Sequence, residues 1–339
     1  MRAALERKLN RVWYGGQKPG PLLRALEPVY RGLSAYARRR GRRNMAGDLA
    51  DKPIVVVGNL TAGGAGKTPL VIRLCQLATD CELRVGVVSR GYGRAGRKPA
   101  WVAPTSPVEV SGDEALLIAR RTGVPVRVDR QRERAVRALL DRGIELVISD
   151  DGLQRTVLPR RLEICVVDQG QGFGNGRLLP AGPLRESPNR LESIDYVVEH
   201  WPAAPQAGLA SRYHMVLQPG PLTRLDGSET MAVAEAAGCS EPVFAVAGIA
   251  RPERFFDTLA RLGIQASCHA FADHHRFQDS DFIAFPDGAL IVMTEKDAVK
   301  CRRLKLANAW FLPVDAVLSE ELETALRREF KQITEAAHG

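Results

Sequence analysis

The sequence predicts an α/β fold in which a mostly parallel sheet is flanked by helices, with a second, smaller α/β lobe and an N-terminal helical arm. Short apolar segments rich in β-branched residues alternate along the chain with helical segments, an order that favours parallel strands joined by crossover helices. The 339 residues are enough for two hydrophobic cores, and the composition changes after about residue 200. We therefore assign 1–45 to the arm, 46–205 to the main core and 206–339 to a smaller lobe that completes a cleft.

The composition excludes several classes of protein. With 26% charged and 45% hydrophobic residues, the chain is neither a collagen, a coiled-coil rod nor a disordered chain. The six cysteines form no Cys-x-x-Cys pair, so we expect core thiols in a reducing compartment rather than a zinc ribbon or a disulfide framework. No apolar run reaches about 18 residues and no signal peptide is evident, so we expect no membrane-spanning helix.

Positive charge is concentrated in the arm. Residues 1–43 contain twelve lysines and arginines but only two acidic residues, a net of +10 in a chain whose total is +9. The rest of the sequence is therefore close to neutral, which argues against a basic face for nucleic acid on the folded body. The distribution predicts an arm that contacts something anionic.

The second half of the arm has helical periodicity. At 100° per residue its apolar residues fall within about 120°, and most charged residues fall opposite, followed by the basic runs 38–40 and 42–43. Such a helix can lie among lipid headgroups; the alternative is a helix packed on the body with an arginine-rich, solvated end. Pro28 removes a helical hydrogen bond and predicts an imperfect helix. The apolar stripe consists of Leu22, Leu26, Val29, Tyr30, Leu33, Tyr36 and Ala37.

A glycine-rich segment at 58–68, Gly-Asn-Leu-Thr-Ala-Gly-Gly-Ala-Gly-Lys-Thr, lies between an apolar strand and a helix. This is the context of a phosphate-binding loop (P-loop), in which backbone N–H groups and the helix N-terminus surround a phosphate. Lys67 would reach the β- and γ-phosphates of a nucleotide, and the Thr68 hydroxyl would bind Mg²⁺. Thr61 stands where such loops usually have their first glycine, and a plain glycine-rich turn is the alternative. The expected nucleotide-binding residues are Thr61, Ala62, Gly63, Gly64, Ala65, Gly66, Lys67 and Thr68.

Acidic partners for the metal follow a second buried strand. The strand at 145–149 is followed directly by Asp150 and Asp151. In parallel α/β sheets, ligands lie at the carboxyl ends of the strands, so one carboxylate can hold Mg²⁺ or its water while the other orients neighbouring groups. The alternative is a simple Asp-Gly turn, which the pairing with a phosphate loop disfavours.

Two further groups of polar residues are candidates for the site. Arg90 belongs to a Gly/Arg loop at 90–94, which either binds phosphate or sugar or is merely a flexible basic loop. Asp113 and Glu114 begin a helix, where acidic residues favour the dipole. A carboxylate that faces the γ-phosphate can also accept the proton of an attacking hydroxyl.

Two more candidates lie further along the chain. Arg177 and Arg185 belong to a long loop rich in Gly and Pro and are able to clamp phosphate. His274 lies between Asp273 and His275 in the predicted smaller lobe. Because no third ligand is spaced for zinc, this cluster is either a surface pair or a proton-handling site at the cleft.

The ordered set of motifs resembles the tetraacyldisaccharide 4′-kinase (lipid A 4′-kinase) family. The resemblance covers about residues 5–330, and Thr61 agrees with the family pattern. Each motif is weak alone, but the set in this order is hard to obtain by chance. The motifs are Gly58-Asn-Leu-Thr61 with 63–69, Ser89-Arg-Gly-Tyr-Gly93, Gly112-Asp-Glu114, Asp150-Asp-Gly-Leu-Gln154, 173–185, Asp273-His274 and Thr294-Glu-Lys-Asp297.

The resemblance implies a kinase that depends on ATP and Mg²⁺. Members of the family transfer the γ-phosphate to the 4′-hydroxyl of tetraacyldisaccharide 1-phosphate, which forms lipid IVA in lipid A biosynthesis. They work at the cytoplasmic face of the inner membrane of Gram-negative bacteria, and their N-terminal segment is associated with membrane binding. The implied partners are thus the lipid substrate and a membrane surface, with no nucleic acid and no obligate protein partner.

The resemblance also implies roles for individual residues. Asp113 matches the family's proposed catalytic base and His274 its dyad partner, while Lys67 and Thr68 match the phosphate-loop residues. Leu153 stands where the family more often has an aromatic residue, which should not alter the chemistry. The implied metal and nucleotide network consists of Glu114, Asp150, Asp151 and Gln154, with Arg185 as an active-site arginine.

Two other classes of function stay open at this point. A P-loop GTPase that acts as a switch would need an Asn-Lys-x-Asp motif to recognise guanine, and 294–297 resembles that motif only loosely. A nucleic-acid binder would use the basic arm, and its salt-sensitive binding would be lost on deletion of 1–43.

Overall fold

The computed structural model describes the backbone of residues 2–205 and 211–338, and the side chains of 8–205 and 211–338. Ten α-helices and three short 3₁₀ helices lie in this part of the chain. The α-helices are α1 (Arg2–Trp13), α2 (Pro21–Arg43), α3 (Lys67–Asp80), α4 (Val108–Ser111), α5 (Asp113–Thr122), α6 (Arg132–Leu140), α7 (Val233–Ala237), α8 (Pro252–Arg261), α9 (Glu295–Cys301) and α10 (Glu320–His338). The 3₁₀ helices are Gly47–Leu49, Pro188–Ser193 and Asp279–Asp281.

The same part of the chain contains fifteen strands. They are β1 (Ile54–Gly58), β2 (Val85–Ser89), β3 (Ala100–Val102), β4 (Val126–Val128), β5 (Leu146–Ser149), β6 (Leu162–Asp168), β7 (Tyr196–Trp201), β8 (His214–Pro219), β9 (Leu222–Arg224), β10 (Thr230–Met231), β11 (Val243–Ala247), β12 (Ser267–Ala270), β13 (Leu290–Thr294), β14 (Ala309–Leu312) and β15 (Val314–Leu318). Nine form a larger sheet in the order β15-β8-β7-β6-β1-β5-β2-β4-β3, and six form a smaller sheet in the order β10-β9-β14-β13-β11-β12.

Strand β1 lies in the middle of the larger sheet and pairs in parallel with β5 and β6. Alternate residues of β1 enter two separate hydrophobic cores, one shared with α3 and α5 and the other with α6. Both faces of the sheet are therefore covered, which explains why its central strands β1, β2 and β5 are nearly continuous apolar runs. Only β3 and β15, at the two edges, pair in an antiparallel manner. This arrangement confirms the predicted α/β fold and brings the loops after β1, β5 and β6 to one edge of the sheet.

The smaller sheet spans a shorter part of the chain than the predicted lobe of 206–339. It contains β9 to β14, after which β15 returns to the larger sheet and pairs with β8. Helix α10 follows it, and Phe330 of α10 is fully buried in a core of the larger sheet. The division between the two sheets therefore does not coincide with residue 206, because the chain crosses twice between them.

Helix α2 of the arm turns its polar side towards the body. It continues through Pro28, so the proline does not end the helix. Glu27 and Gly41 are buried, and the Tyr30 hydroxyl donates to the backbone oxygen of Arg185 at 3.2 Å. The exposed large apolar side chains of α2 are Leu22, Leu26, Val29, Leu33 and Tyr36. An ordinary surface helix covers the core with its apolar side, so α2 is oriented in the opposite way.

Two expectations from composition can be compared with the structure. Among the described residues, no helix has both the length and the apolarity needed to cross a bilayer. Cys75, Cys81, Cys165 and Cys301 are buried thiols as predicted, whereas Cys239 is half-buried and Cys268 is exposed. The last two thus differ from the expected core position.

Candidate active site

The phosphate loop occupies residues 59–66, between β1 and α3. Gly63 and Gly66 have φ of 109° and 88°, a conformation that glycine adopts without strain. Asn59 is fully buried, and its side-chain amide donates to the backbone oxygen of Thr61 at 2.9 Å and to the Thr61 hydroxyl at 3.2 Å. The hydroxyl at position 61 therefore gives Asn59 an acceptor that a glycine would lack. Asn59 is a residue that the sequence analysis did not single out.

Lys67 and Thr68 are the first two residues of α3. The Lys67 ammonium donates to the side-chain oxygen of Asn59 at 2.9 Å and lies 3.4 Å from a carboxylate oxygen of Asp151. The N-terminus of a helix leaves polarised N–H groups without intrahelical partners, which favours a phosphate at this point. The loop thus offers backbone donors, an ammonium group and a hydroxyl to a polyphosphate.

Asp150 follows β5 and is a buried carboxylate whose nearby positive charges, on Lys67 and Arg132, do not outweigh its burial. Its side chain accepts a hydrogen bond from the Ser89 hydroxyl at 3.3 Å, and the residue is only 2% exposed. Burial raises the pKa of Asp150 to about 7, and the neighbouring carboxylates of Glu114 and Asp151 act in the same direction. The side chain is therefore poised to bind a cation.

Asp151, the next residue, lies in a positively charged network. Burial opposes its ionisation, but Lys67 and Arg185 outweigh burial and hold its pKa well below the usual range. Nη1 of Arg185 donates to the two Asp151 oxygens at 3.1 and 3.2 Å and to Gln154 at 3.3 Å. The Gln154 amide in turn donates to Glu186 at 3.0 Å. The structure thus brings together four of the predicted residues and adds Glu186 to their network. The four are Lys67, Asp151, Gln154 and Arg185.

A divalent cation fits the charge distribution around Asp150. Asp150, Glu114 and Thr68 offer the oxygen ligands that Mg²⁺ prefers. A cation would also relieve the repulsion that raises the pKa of Asp150. No group of three His, Cys, Asp or Glu ligands is preassembled within residues 8–205 and 211–338. Mg²⁺ is usually held by one or two carboxylates together with water and substrate phosphates.

Asp113 and His274 meet between the two sheets. Asp113 begins α5 on the larger sheet, and His274 follows β12 of the smaller sheet. Nδ1 of His274 lies 2.7 Å from a carboxylate oxygen of Asp113, and the pair borders a cavity of 60 Å³. His274 has a φ of 59°, which is uncommon for a residue with a side chain, and its ring centroid lies 4.7 Å from that of Tyr92. The contact creates a carboxylate that is oriented by an imidazole.

Lys296, near the start of α9, places an ammonium group among three carboxylates. It donates to Glu114 at 2.8 Å and lies 3.8 Å from Asp273 and 4.0 Å from Asp113. Burial disfavours its charge, but these carboxylates outweigh burial and raise the pKa of Lys296. Burial likewise opposes ionisation of Asp113, but Lys296 and His274 outweigh it and lower the Asp113 pKa to about 2. Both groups are therefore charged at neutral pH.

Two of the predicted arginines lie apart from these clusters. Arg90 is exposed directly after β2. Arg177 donates to Glu27 of α2 at 2.9 Å, and the backbone N–H of Leu178 donates to the other carboxylate oxygen at 3.0 Å. Arg177 thus holds the arm against the body.

Comparisons with known proteins find similar chains. A family described as tetraacyldisaccharide-1-P 4′-kinase matches residues 20–331. A tetraacyldisaccharide 4′-kinase of Alcanivorax borkumensis is 44% identical over 322 residues, which is 94% of this chain and 96% of the relative. One of Hahella chejuensis is 45% identical over 319 residues, 92% of this chain and 93% of the relative. The crystal structure of the "apo" form of LpxK from Aquifex aeolicus in complex with ATP aligns with a TM-score of 0.68 and 26% identity, over 93% of this chain and 100% of that chain.

Proposed function

We propose how this chain, which belongs to the tetraacyldisaccharide-1-P 4′-kinase family, carries out phosphoryl transfer. As a member of that family, it is an ATP-dependent kinase that phosphorylates the 4′ position of a lipid A precursor. We assign the nucleotide to the phosphate-loop edge of the larger sheet and the sugar hydroxyl to the cleft between the two sheets. The observation that supports this most directly is the 2.7 Å contact between Asp113 and His274.

On the nucleotide side, the loop N–H groups and Lys67 bind the phosphates of ATP. Thr68, Asp150 and Glu114 are the residues that would hold Mg²⁺, which, when bound, neutralises negative charge on the transferred phosphoryl group. Asp151 keeps Lys67 in place, and it also orients Arg185 on the same side. Because phosphoryl transfer depends mainly on positioning and charge stabilisation, a rigid set of cations at this edge suits the reaction.

On the acceptor side, Asp113 takes the proton of the sugar 4′-hydroxyl as that oxygen attacks the γ-phosphorus. A bond forms between the 4′-oxygen and phosphorus, the bond from phosphorus to the bridging oxygen of ADP breaks, and the proton ends on Asp113. A pKa of about 2 keeps Asp113 ionised at neutral pH. It is a weak base, but in a loose transition state positioning matters more than base strength.

His274 and Lys296 supply that positioning from the smaller sheet. His274 fixes the carboxylate of Asp113, and Lys296 fixes Glu114. We propose that the second lobe completes the cleft in this way, and that its closure excludes water and so suppresses ATP hydrolysis.

The test is transfer of label from γ-labelled Mg-ATP to detergent-dispersed tetraacyldisaccharide 1-phosphate. We expect label at the 4′ position with the wild-type protein. Asp113→Asn keeps the shape of the side chain but not its basicity, and should lower turnover about 10²–10⁴-fold. Its ATP affinity should stay within about twofold of wild type. The exposed Asp141→Asn is the control, and unchanged turnover in Asp113→Asn would contradict the proposal.

We also propose that α2 binds the cytoplasmic face of the inner membrane, where the lipid acceptor lies. The exposed apolar stripe of α2 ends in the basic runs 38–40 and 42–43. A helix with this pattern lies in the headgroup region of a bilayer, and each basic residue near an anionic surface adds about 1 kcal/mol. Tyr30 of the stripe contacts the body, but the five large apolar side chains named above are exposed, so a lipid surface is the environment that suits them.

Vesicle flotation tests the role of the stripe. The full-length protein should float with vesicles that contain phosphatidylglycerol, and the double variant Leu22→Ser/Leu33→Ser should float much less. Ile283→Ser, which removes an apolar side chain of the smaller lobe that is 80% exposed, is the matched control. Equal flotation of all three proteins would refute membrane docking by α2.

A further inference from the structure

Asp168, the last residue of β6, is a buried carboxylate that connects the two sheets. Strand β6 lies beside β1, so Asp168 ends its strand next to the phosphate loop. Arg251 and Arg254, at the N-terminal end of α8 on the smaller sheet, both donate to its carboxylate. Asp168 is only 5% exposed, so solvent screens these ion pairs much less than surface pairs. Two guanidinium groups against one carboxylate leave an excess positive charge beside the loop.

The same network holds two consecutive carbonyl oxygens of the phosphate loop. Arg251 donates to the backbone oxygen of Gly64 at 2.5 Å. His200, near the end of β7, has its Nδ1 3.1 Å from the backbone oxygen of Ala65 and 3.8 Å from Asp168. Burial lowers the pKa of His200 to about 4, so the ring is neutral at pH 7. Because a carbonyl oxygen only accepts hydrogen bonds, Nδ1 must carry the proton of this ring.

A fixed carbonyl group also fixes the N–H group of the next residue. In a planar trans peptide the C=O and the following N–H point in opposite directions. The contact of Gly64 with Arg251 therefore turns the Ala65 N–H away from Arg251, and the contact of Ala65 with His200 turns the Gly66 N–H away from His200. N–H groups of this loop are the donors that a phosphate requires. The fit is close, since a Cβ on Gly66 would lie 2.8 Å from Nδ1 of His200.

We propose that Asp168 is a positioning residue for ATP binding, which acts through Arg251 and His200 on the phosphate loop. Asp168 orients Arg251, and the two side chains that contact the loop then present its N–H groups to the phosphates. Because Arg251 belongs to the smaller sheet, the shape of the loop depends on the position of the second lobe. The inference rests on the role proposed above for the phosphate loop. It adds that Arg251 of the smaller lobe helps to hold the loop in the shape that binds phosphate.

The test compares the affinity for Mg-ATP with the kinetics toward the lipid in the full-length protein. Asp168→Asn and Arg251→Met should each raise the Kd for Mg-ATP about 10-fold, because each loses hydrogen bonds to a charged group. The KM for the lipid acceptor should change by less than about twofold. Arg251→Lys keeps a donor for Gly64 and should recover part of the affinity. If Asp168→Asn does not fold, Arg251→Met provides the test, because Arg254 still neutralises the buried carboxylate.

Three further variants separate the possible outcomes. Asp48→Asn breaks an exposed ion pair of the larger lobe, Arg261→Met alters an exposed arginine of α8, and both should bind Mg-ATP like the wild type. Lys67→Met should lose ATP binding, and normal binding in that variant would refute the role of the loop itself. If Lys67→Met loses binding while Asp168→Asn and Arg251→Met keep wild-type affinity, even with lower melting temperatures, then Asp168 is only structural and the inference is overturned.

Discussion

The nucleotide side and the acceptor side of the site are built in different ways. On the nucleotide side, Asp151 pairs with Lys67 and Arg185, and all three belong to loops and helices of the larger sheet. On the acceptor side, Asp113 pairs with His274, which belongs to the smaller sheet. Apart from the contact of Arg251 with the phosphate loop, the first side is therefore complete within one lobe, whereas the second exists only where the two lobes meet. It follows that changes on the acceptor side should lower turnover while leaving ATP affinity unchanged.

The two sides also differ in their balance of charge. On the nucleotide side, burial and two nearby carboxylates raise the pKa of Asp150 to about 7. The cationic side chains near this carboxylate therefore do not fully compensate for its burial. On the acceptor side, Lys296 lies among three carboxylates and supplies such a cation. The contrast indicates that Mg²⁺ balances the charge of the nucleotide side, while Lys296 of the second lobe balances the charge of the acceptor side.

Among variants that leave Asp113 and Lys67 intact, Asp150→Asn should have the largest effect on activity. The substitution removes a carboxylate that we assign to Mg²⁺, and we expect turnover to fall about 10²–10³-fold, comparable to the loss of one preorganised electrostatic contact. Label transfer at saturating Mg-ATP measures the effect, with the exposed Asp141→Asn as the control. Turnover within a few-fold of wild type would show that the metal is held elsewhere.

The same variant should be more stable than the wild type in metal-free buffer at pH 8. The folded-state pKa of Asp150 is about 7, above that of an unfolded Asp, so the folded protein binds more protons between about pH 4 and 7. Wild-type stability therefore contains a contribution that is present at low pH and is lost as pH rises through that range. An Asn at this position has no charge to bury and avoids the loss. Urea unfolding in EDTA at pH 5 and pH 8 measures this, and equal pH dependence of the two proteins would contradict it.

Lys296→Met should have the next largest effect and should distinguish the acceptor side from the nucleotide side. The variant leaves Glu114 and Asp113 without a buried cation, so we expect kcat/KM for the lipid to fall about 10–10²-fold. The Kd for Mg-ATP should change much less than kcat/KM, because Lys296 contacts only Glu114 among the groups that we assign to Mg²⁺. The exposed control Lys305→Met should leave both quantities unchanged. A loss of ATP affinity that matched the loss of turnover would place Lys296 on the nucleotide side instead.

Glu27→Gln should have the smallest effect, because it acts on the arm rather than on either side of the site. Glu27 is buried and accepts hydrogen bonds from Arg177 and from the Leu178 N–H, so its neutralisation should weaken the docking of α2 by about 1–2 kcal/mol. Hydrogen exchange of the α2 amides measures this, with the exposed Glu321→Gln on α10 as the control. Unchanged protection of α2 would show that other contacts hold the arm.

The fold of the larger sheet and the nucleotide side could be predicted from the sequence because their signals are local. The central strands β1, β2 and β5 are nearly continuous apolar runs, and the residues of the phosphate loop follow one another directly after β1. Asp150 and Asp151 likewise follow β5, so their position at the edge of the sheet needs no tertiary information. The exchange of strands between the sheets lacks such a signal. Strand β8 is mostly half-buried and β15 alternates in burial, and neither pattern shows which sheet the strand joins.

The acceptor side could not be derived from local patterns. Asp113 and His274 are 161 residues apart, and Glu114 and Lys296 are 182 residues apart. The dyad follows only from the family resemblance, and Lys296 is found only in the structure. Local sequence does not distinguish the two loop arginines either. Arg177 pairs with the arm and Arg185 with Asp151, although both lie in one Gly/Pro-rich loop.

A double-mutant cycle on Asp113 and His274 measures how strongly the two residues are coupled across the two sheets. Single-turnover transfer to the lipid is measured at saturating Mg-ATP for Asp113→Ala, His274→Ala and the double variant. If His274 acts through Asp113 across the two sheets, the double variant should be slower than Asp113→Ala by no more than about twofold. If the two losses multiply instead, the residues act independently and a shared role at the acceptor side is contradicted.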